Sequence, residues 1–228
     1  IGSSPPPHAA DCNSLYARLR PPPSANDNAI NHTEYKTMKI VFATNNAHKL
    51  REVARELGDS FTLLTPRDCG VTEDIPENEP TLEGNALAKA RYIRSRTGLD
   101  CFADDTGLEV DALGGEPGVR SARYATDGHD DEANKRLLLE RMASVDDRSA
   151  RFRTAIALIA GDEEILFEGV VRGAISREEM GSNGFGYDPI FVPEGFDRSF
   201  AQMSDDEKNA VSHRGRAVRK LVDYLRKR

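Results

Sequence analysis

The segment Lys39 to Thr44 (KIVFAT) constrains this chain more than any other. Between its polar ends it is apolar without alternation, so a strand built from it is buried on both faces. Asn45-Asn46-Ala47 then turns the chain. Leu50, Val53, Ala54 and Leu57 follow at helical spacing, and Gly58 is the stop signal. A buried strand running straight into an amphipathic helix opens an α/β sheet with helices on its faces.

The remaining pattern agrees with that opening. Phe61 to Thr65 reads as a second strand, Leu82 to Arg96 as a helix ending near Gly98, and Asp100 to Ala103 as a short strand. Ala133 to Met142 reads as a helix. Arg151 to Ala160 and Glu164 to Val171 form a hairpin around Gly161-Asp162, and Tyr187 to Val192 is a final strand. Ser204-Asp205-Asp206-Glu207 is a capping box opening a last helix or helix pair through Leu225. The expected fold is α/β with a mixed sheet.

Residues 1–37 stand apart. They carry Pro5-Pro6-Pro7 and Pro21-Pro22-Pro23 without a sustained apolar period, and read as a low-complexity or disordered extension before a domain over 38–228. Hydrophobic residues make up 38 % and charged residues 30 % of the 228, as in a soluble enzyme. No apolar run is long enough to cross a bilayer, and the expected location is cytoplasmic. Cys12, Cys69 and Cys101 are too few and too scattered for a disulfide framework or a zinc site. The net charge of -7 argues against a nucleic-acid-coating protein. The stretch from Lys208 to Arg228 is nevertheless strongly basic; most of it reads as a solvated helix face, with its first few positions turned toward an anion.

Five segments can carry chemistry. Thr44-Asn45-Asn46-Ala47-His48-Lys49 joins a strand to a helix N-terminus, where free N–H groups and a lysine suit phosphate; taken alone it reads first as an Asn-rich cap. Asp104-Asp105-Thr106-Gly107 sets two carboxylates at the end of a buried strand. That is costly without a cation, and a turn at Thr106-Gly107 would let both converge on Mg²⁺; a polar turn is the alternative. Glu77-Asn78-Glu79-Pro80 precedes a helix whose Asn85 and Lys89 share a face. In Gly184-Phe185-Gly186-Tyr187-Asp188 the glycines admit a close ligand and Phe185 offers a ring to a base, unless it is a core aromatic. Near Lys208, the His213-Arg214 pair can donate to a carbonyl oxygen, the group that separates a 6-keto purine from adenine. Asp127-Gly128-His129-Asp130-Asp131 reads as a helix cap without chemistry.

In this order, IVFATNNAHKLREV, FADDTGLEVDALGGEPGVRSARYA, GFGYDPIFVPEG and EKNAVSHRGRA resemble the inosine triphosphate pyrophosphatase family (Ham1-like, or dITP/XTP pyrophosphatase), from about Met38 to the C-terminus. The resemblance implies an elongated two-lobed α/β fold with a central mixed sheet flanked by helices, the active site in the cleft between lobes, and a homodimer. It implies hydrolysis of aberrant purine nucleoside triphosphates (ITP, dITP, XTP) to the monophosphate and pyrophosphate. By the same resemblance, Thr44 to Lys49 hold the triphosphate and Asp105 binds Mg²⁺ and accepts a proton. Asp104 is a candidate activator of water, Thr106 contacts substrate, and Lys89 lies near the phosphates. Phe185, Gly186, Tyr187 and Asp188 grip base and sugar, and Lys208, His213 and Arg214 complete nucleotide recognition. Where the family has Glu-Thr-Gly, this chain has Glu77-Asn78-Glu79-Pro80. Spacing from Asn85 selects Glu77 as the second metal ligand, with Glu79 as the alternative.

The expected chemistry is attack of water on the α-phosphorus, with Lys49 and Lys89 drawing away pyrophosphate. A non-catalytic nucleotide binder on the same scaffold is the rival, and the Asp104-Asp105 pair speaks against it. An RNA-binding protein using the basic C-terminus is a third reading, and the acidic remainder of the chain opposes it.

Overall fold

A computed structural model of the chain describes residues 37–228. The expected extension, apart from Thr37, and Cys12 with it, lies outside the described residues. β1 (Met38–Phe42) leads through α1 (Ala47–Leu57) to β2 (Phe61–Leu64), which pairs parallel to β1. α2 (Leu82–Thr97) is capped by Thr81, whose hydroxyl accepts from the Gly84 N–H, and is closed by Gly98 in the left-handed region (φ 66°). β3 (Cys101–Val110) follows, then the two-residue β4 (Pro117–Gly118) and α3 (Asp131–Arg141). β5 (Ser149–Ala160) and β6 (Glu163–Ile175) form a long antiparallel hairpin around Gly161-Asp162, before β7 (Phe191–Pro193). α4 (Asp205–Val211) and α5 (His213–Leu225) close the chain as a helix pair broken at Ser212, which caps α5 through the Gly215 N–H.

The sheet runs β2-β1-β3-β5-β6-β7, and β4 pairs with β3. It is mixed: β1 is parallel to β2 and β3, and the other pairs are antiparallel. Side chains alternate across it. Cys101 and Ala103 point to the face covered by α2, where Ala86, Ala90 and Ile93 also meet Ala155 and Ala157. Small side chains on both partners let α2 lie close to the strands. Phe102 points to the opposite face, among Val53 and Leu57 of α1 and Val218 and Leu221 of α5, and stacks on Phe42 at 4.6 Å. A third cluster, with Leu108, Phe152, Phe191 and Phe200, forms the other lobe at the far end of β3, β5 and β6.

Two expectations are corrected. Asp100 to Ala103 is not a short strand ending in a turn at Thr106-Gly107. β3 runs unbroken to Val110, because β5 pairs with it in register from Cys101↔Ile159 to Val110↔Ala150. Nor does the last strand begin at Tyr187. A 3₁₀ turn over Asp188–Ile190 comes first, and only Phe191–Pro193 is extended. Pro189 has no N–H for a ladder, and the Asp188 carboxylate turns back to accept from the Phe185 N–H at 2.8 Å.

Candidate active site

The cleft exists because β3 lacks a strand neighbour along part of one edge. β1 reaches it only at Cys101 and Phe102, and β4 covers it again from Leu108. The opening between them is a cleft of about 620 Å³ lined by residues of the β1–α1 turn, the 74–77 loop, α2, β3, the 121–123 turn, the 185–188 loop and the α4–α5 pair.

Asp104 and Asp105 sit at this gap as consecutive residues of a regular strand, so they project to opposite faces. The expected convergence of the two through a turn does not occur. Asp104 is 1 % exposed. One of its oxygens accepts from the Lys49 ammonium (2.9 Å) and the other from Arg214 Nε (3.0 Å). Burial alone would raise its carboxyl, but Lys49, Arg214 and Lys89 outweigh burial and hold it well below the usual range. With both oxygens engaged and no place on the cleft wall, Asp104 fixes Lys49 and Arg214 rather than standing open to water. Asp105 faces α2 and the cleft. It accepts from Asn85 Nδ2 at 3.0 Å and lies 3.4 Å from Lys89 Nζ. Here burial wins over the two lysines and Asn85, and its pKa is raised. Two neighbouring carboxylates thus differ in proton affinity because they belong to different faces.

Glu77 completes this end. Its carboxylate meets Lys89 Nζ at 2.6 Å, so the ammonium lies between Glu77 and Asp105. Burial would raise Glu77, but Lys89 and the cations beyond it hold it low. Lys89 is raised, its burial outweighed by Asp105 and Glu77. Glu79 is exposed and contributes its backbone N–H to Asn85 Oδ1 (2.9 Å). Of the two glutamates, Glu77 is the one on the cleft wall. Lys49 lines the cleft beside it, its pKa lowered by burial despite Asp104. Asn46 caps α1: its side-chain oxygen takes the N–H groups of both His48 (2.9 Å) and Lys49 (3.1 Å). The cap therefore spends two of the donors that a bare helix N-terminus would offer an anion. Thr44 is buried at the cleft edge, whereas Asn45, Asn46, Ala47 and His48 are exposed.

The other end carries rings and buried donors. Phe185 lies beside His48 (centroids 5.0 Å apart) with Lys208 Nζ 4.9 Å from its ring centre, and Gly186 and Tyr187 continue the wall. Lys208 donates to Asp188 and to Glu52, each at 2.7 Å. Burial raises the Asp188 carboxyl; Lys208 is raised because Asp188 and Glu52 outweigh its burial. Arg214, 2 % exposed, donates to Asp104, to Thr106 Oγ1 (3.2 Å) and to Glu52. His213 is stacked on Phe152 (4.5 Å, 14°) and held neutral, its pKa driven well down by burial and by Arg214. Among the described residues, His213 Nδ1 is buried without a hydrogen-bond partner.

Glu52, which ties Lys208 to Arg214, was not singled out from sequence; it sits one helical turn beyond Lys49, and that spacing is the signal that could have found it. Arg123, beside Glu77, was missed as well. Asp130 caps α3 through the Ala133 N–H (2.9 Å), as its sequence suggested, while the next residue, Asp131, accepts from the Gly186 N–H. Cys101 is buried and its thiol pushed up to about 12, which leaves it inert.

Fold and cleft define an α/β protein whose site sets cations and carboxylates at one end and an aromatic face with buried donors at the other. The sequence profile of the Ham1 family matches residues 40–224. A dITP/XTP pyrophosphatase of Christiangramia forsetii is 52 % identical over 83 % of this chain and 100 % of its own length. One of Porphyromonas gingivalis is 52 % identical over 82 % of this chain and 97 % of its own. The solved structure of a HAM1 protein from Coxiella burnetii superposes with a TM-score of 0.77 at 39 % identity, covering 84 % of this chain and all of that one. The chain belongs to the Ham1 family.

Proposed function

We propose that the protein hydrolyses aberrant purine nucleoside triphosphates, dITP, XTP and ITP, to the monophosphate and pyrophosphate, with Mg²⁺ as cofactor. One observation supports the reading: Asp105 and Glu77 both meet the Lys89 ammonium at one end of a cleft whose other end is lined by Phe185 and His213. The dITP/XTP pyrophosphatases to which the chain is similar support the substrate and the cut.

The donor set suits magnesium. Asp105 and Glu77 are two carboxylates at one end of the cleft, both beside Lys89, and Mg²⁺ characteristically takes one or two protein carboxylates and completes its shell with water and phosphate oxygens. Asp105 and Glu77 would hold the ion, which when bound neutralises charge on the phosphate oxygens. The residues of the chain do the rest. Phe185 stacks the base, and the neutral His213 with Arg214 reads a 6-keto oxygen. An amino group in that place would leave buried donors unpaired, which is the basis of strong discrimination. Asp105, which faces the cleft, takes a proton as the oxygen of water bonds to the α-phosphorus. The bond from that phosphorus to the bridging oxygen breaks, and pyrophosphate leaves with the electron pair. Lys49, fixed by Asp104, and Lys89 stabilise the departing charge.

The test is a panel of dITP, XTP, ITP, ATP and GTP with Mg²⁺, scored separately for pyrophosphate and orthophosphate. Pyrophosphate from the first three is expected, with slow turnover of ATP, whose purine carries a 6-amino group; GTP shares the 6-keto oxygen, and its rate reports what the 2-amino group costs. Orthophosphate as sole product, equal rates on ATP, or tight binding of ITP without turnover overturns the reading. It includes a homodimer acting on the cytoplasmic nucleotide pool, so light scattering should give twice the chain mass.

A further inference from the structure

The block GGEPGVRSARYA takes no part in the chemistry above, yet it places Arg123 on the cleft wall beside Glu77. We propose that Arg123 binds the outer phosphates of the substrate and the pyrophosphate they become; this rests on the triphosphate reading and names a contact within it.

Four of the cations around the cleft are held by carboxylates. Lys49 is engaged by Asp104, Lys89 by Glu77 and Asp105, Lys208 by Asp188 and Glu52, and Arg214 by Asp104, Thr106 and Glu52. Arg123 is different. Its guanidinium makes one hydrogen bond, from Nη2 to the main-chain oxygen of Glu77 at 3.1 Å, and the Glu77 carboxylate stands off at 3.6 Å. Nε and Nη1 have no hydrogen-bond partner among the described residues, and the side chain is one-third exposed (33 %). A planar fork with open donors matches two phosphate oxygens at once.

The backbone below that fork is held from several sides. Ser121 Oγ accepts from the Leu108 N–H of β3 (2.8 Å) and donates to the Gly118 carbonyl (2.6 Å). Tyr187 of the base loop donates to the Ser121 carbonyl (2.8 Å). Asn134, 1 % exposed, brackets Arg123: its Nδ2 donates to the Ala122 carbonyl (3.0 Å) and its Oδ1 accepts from the Ala125 N–H (2.8 Å). Burying an amide is costly and is offset only by such bonds. A buried asparagine, a serine and a tyrosine immobilise the turn, while Nε and Nη1 of Arg123 stay without a hydrogen-bond partner among the described residues. That is preorganisation for an anion, at the end of the cleft where Glu77 and Asp105 converge.

Arg123→Ala and Arg123→Lys in the full chain test this by calorimetric titration with pyrophosphate and with inosine monophosphate, each under Mg²⁺, beside turnover of ITP. Arg123→Ala should weaken pyrophosphate and raise KM for ITP by about tenfold or more, while monophosphate affinity stays within about twofold, as for loss of one charge-assisted contact. Arg123→Lys should fall between. Unchanged pyrophosphate affinity, equal loss of both ligands, or full recovery on raising Mg²⁺ (a prop for Glu77 only) overturns the proposal. A wild type that binds pyrophosphate through Arg123 but does not cleave ITP sinks the functional reading alone. A wild type that cleaves ITP, and whose alanine variant keeps its pyrophosphate affinity, sinks the Arg123 proposal alone. A wild type that cleaves ITP but binds no pyrophosphate sinks the Arg123 proposal alone, and one that neither binds pyrophosphate nor cleaves ITP sinks both.

Discussion

Asp104 and Asp105 differ by one position and so by one face of β3, and substituting each should therefore fail in a different way. Asp105→Asn keeps an acceptor for Asn85 and removes a carboxylate whose burial already opposes its charge. Turnover should fall by about 10³-fold or more, on the order of losing a general base together with a metal ligand, while the melting temperature holds or rises. Asp104→Asn leaves Lys49 and Arg214 buried against a neutral amide, and should cost about 3 kcal/mol of stability in urea unfolding, as for a broken buried pair. Equal melting temperatures for the two variants would refute the division. Glu52 supplies a pH test. Burial would raise its carboxyl, but Arg214 and Lys208 pull it from 4.5 down to about 2. A depressed folded value contributes stability that is present above 4.5 and lost as pH falls toward 2. Urea midpoints should therefore drop across that window by on the order of 3 kcal/mol from this group. Glu52→Gln should flatten that drop and be less stable at pH 7; an unchanged slope removes the assignment.

At the scale of elements, α5 brings His213 and Arg214 to the cleft because β6 offers no side chain at Gly169. A Cβ there would run into the His213 carbonyl and lie 2.6 Å from the Ala217 N, both of them helix backbone that cannot rotate aside. Gly169→Ala should push the first turn of α5 off the sheet, cost about 1–3 kcal/mol as overpacking does, and raise KM for ITP more than it lowers kcat. A variant with native KM would show that the approach is not needed. Most elements were legible in the chain: the gapless run of β1, Gly58 and Gly98 as stops, and the capping box at Ser204 with Glu207 all lie where local chemistry places them. β3 was misjudged at Thr106-Gly107, since a Thr-Gly pair permits a turn and only the β5 partner, distant in sequence, keeps it extended. The strand expected from Tyr187 starts only at Phe191, since Pro189 brings no N–H to a ladder and sits in a 3₁₀ turn.

For the molecule as a whole, the three clusters that form the core are built from apolar side chains, and Lys89 neutralises Asp105 and Glu77 at the cleft. Chelation should accordingly abolish pyrophosphate release and leave circular dichroism and the melting temperature nearly unchanged; unfolding on chelation would make the ion structural. No helix among the described residues is long and apolar enough to cross a membrane. Sequence alone determined the α/β class, the α1 cap at Asn46, and the segments from which the cleft is drawn, because strand burial, helix period and capping are set by neighbours a few residues apart. Only the tertiary structure decided what each charge does. That Asp104 anchors Lys49 and Arg214 while Asp105 faces the cleft, that Glu77 rather than Glu79 reaches Lys89, that Glu52 ties Lys208 to Arg214, and that Arg123 meets Glu77 through Nη2 alone are all outcomes of pairings between residues far apart in sequence. A charge's role depends on which opposite charge the fold sets within hydrogen-bonding reach and how much water it removes, and neither quantity is local to the chain.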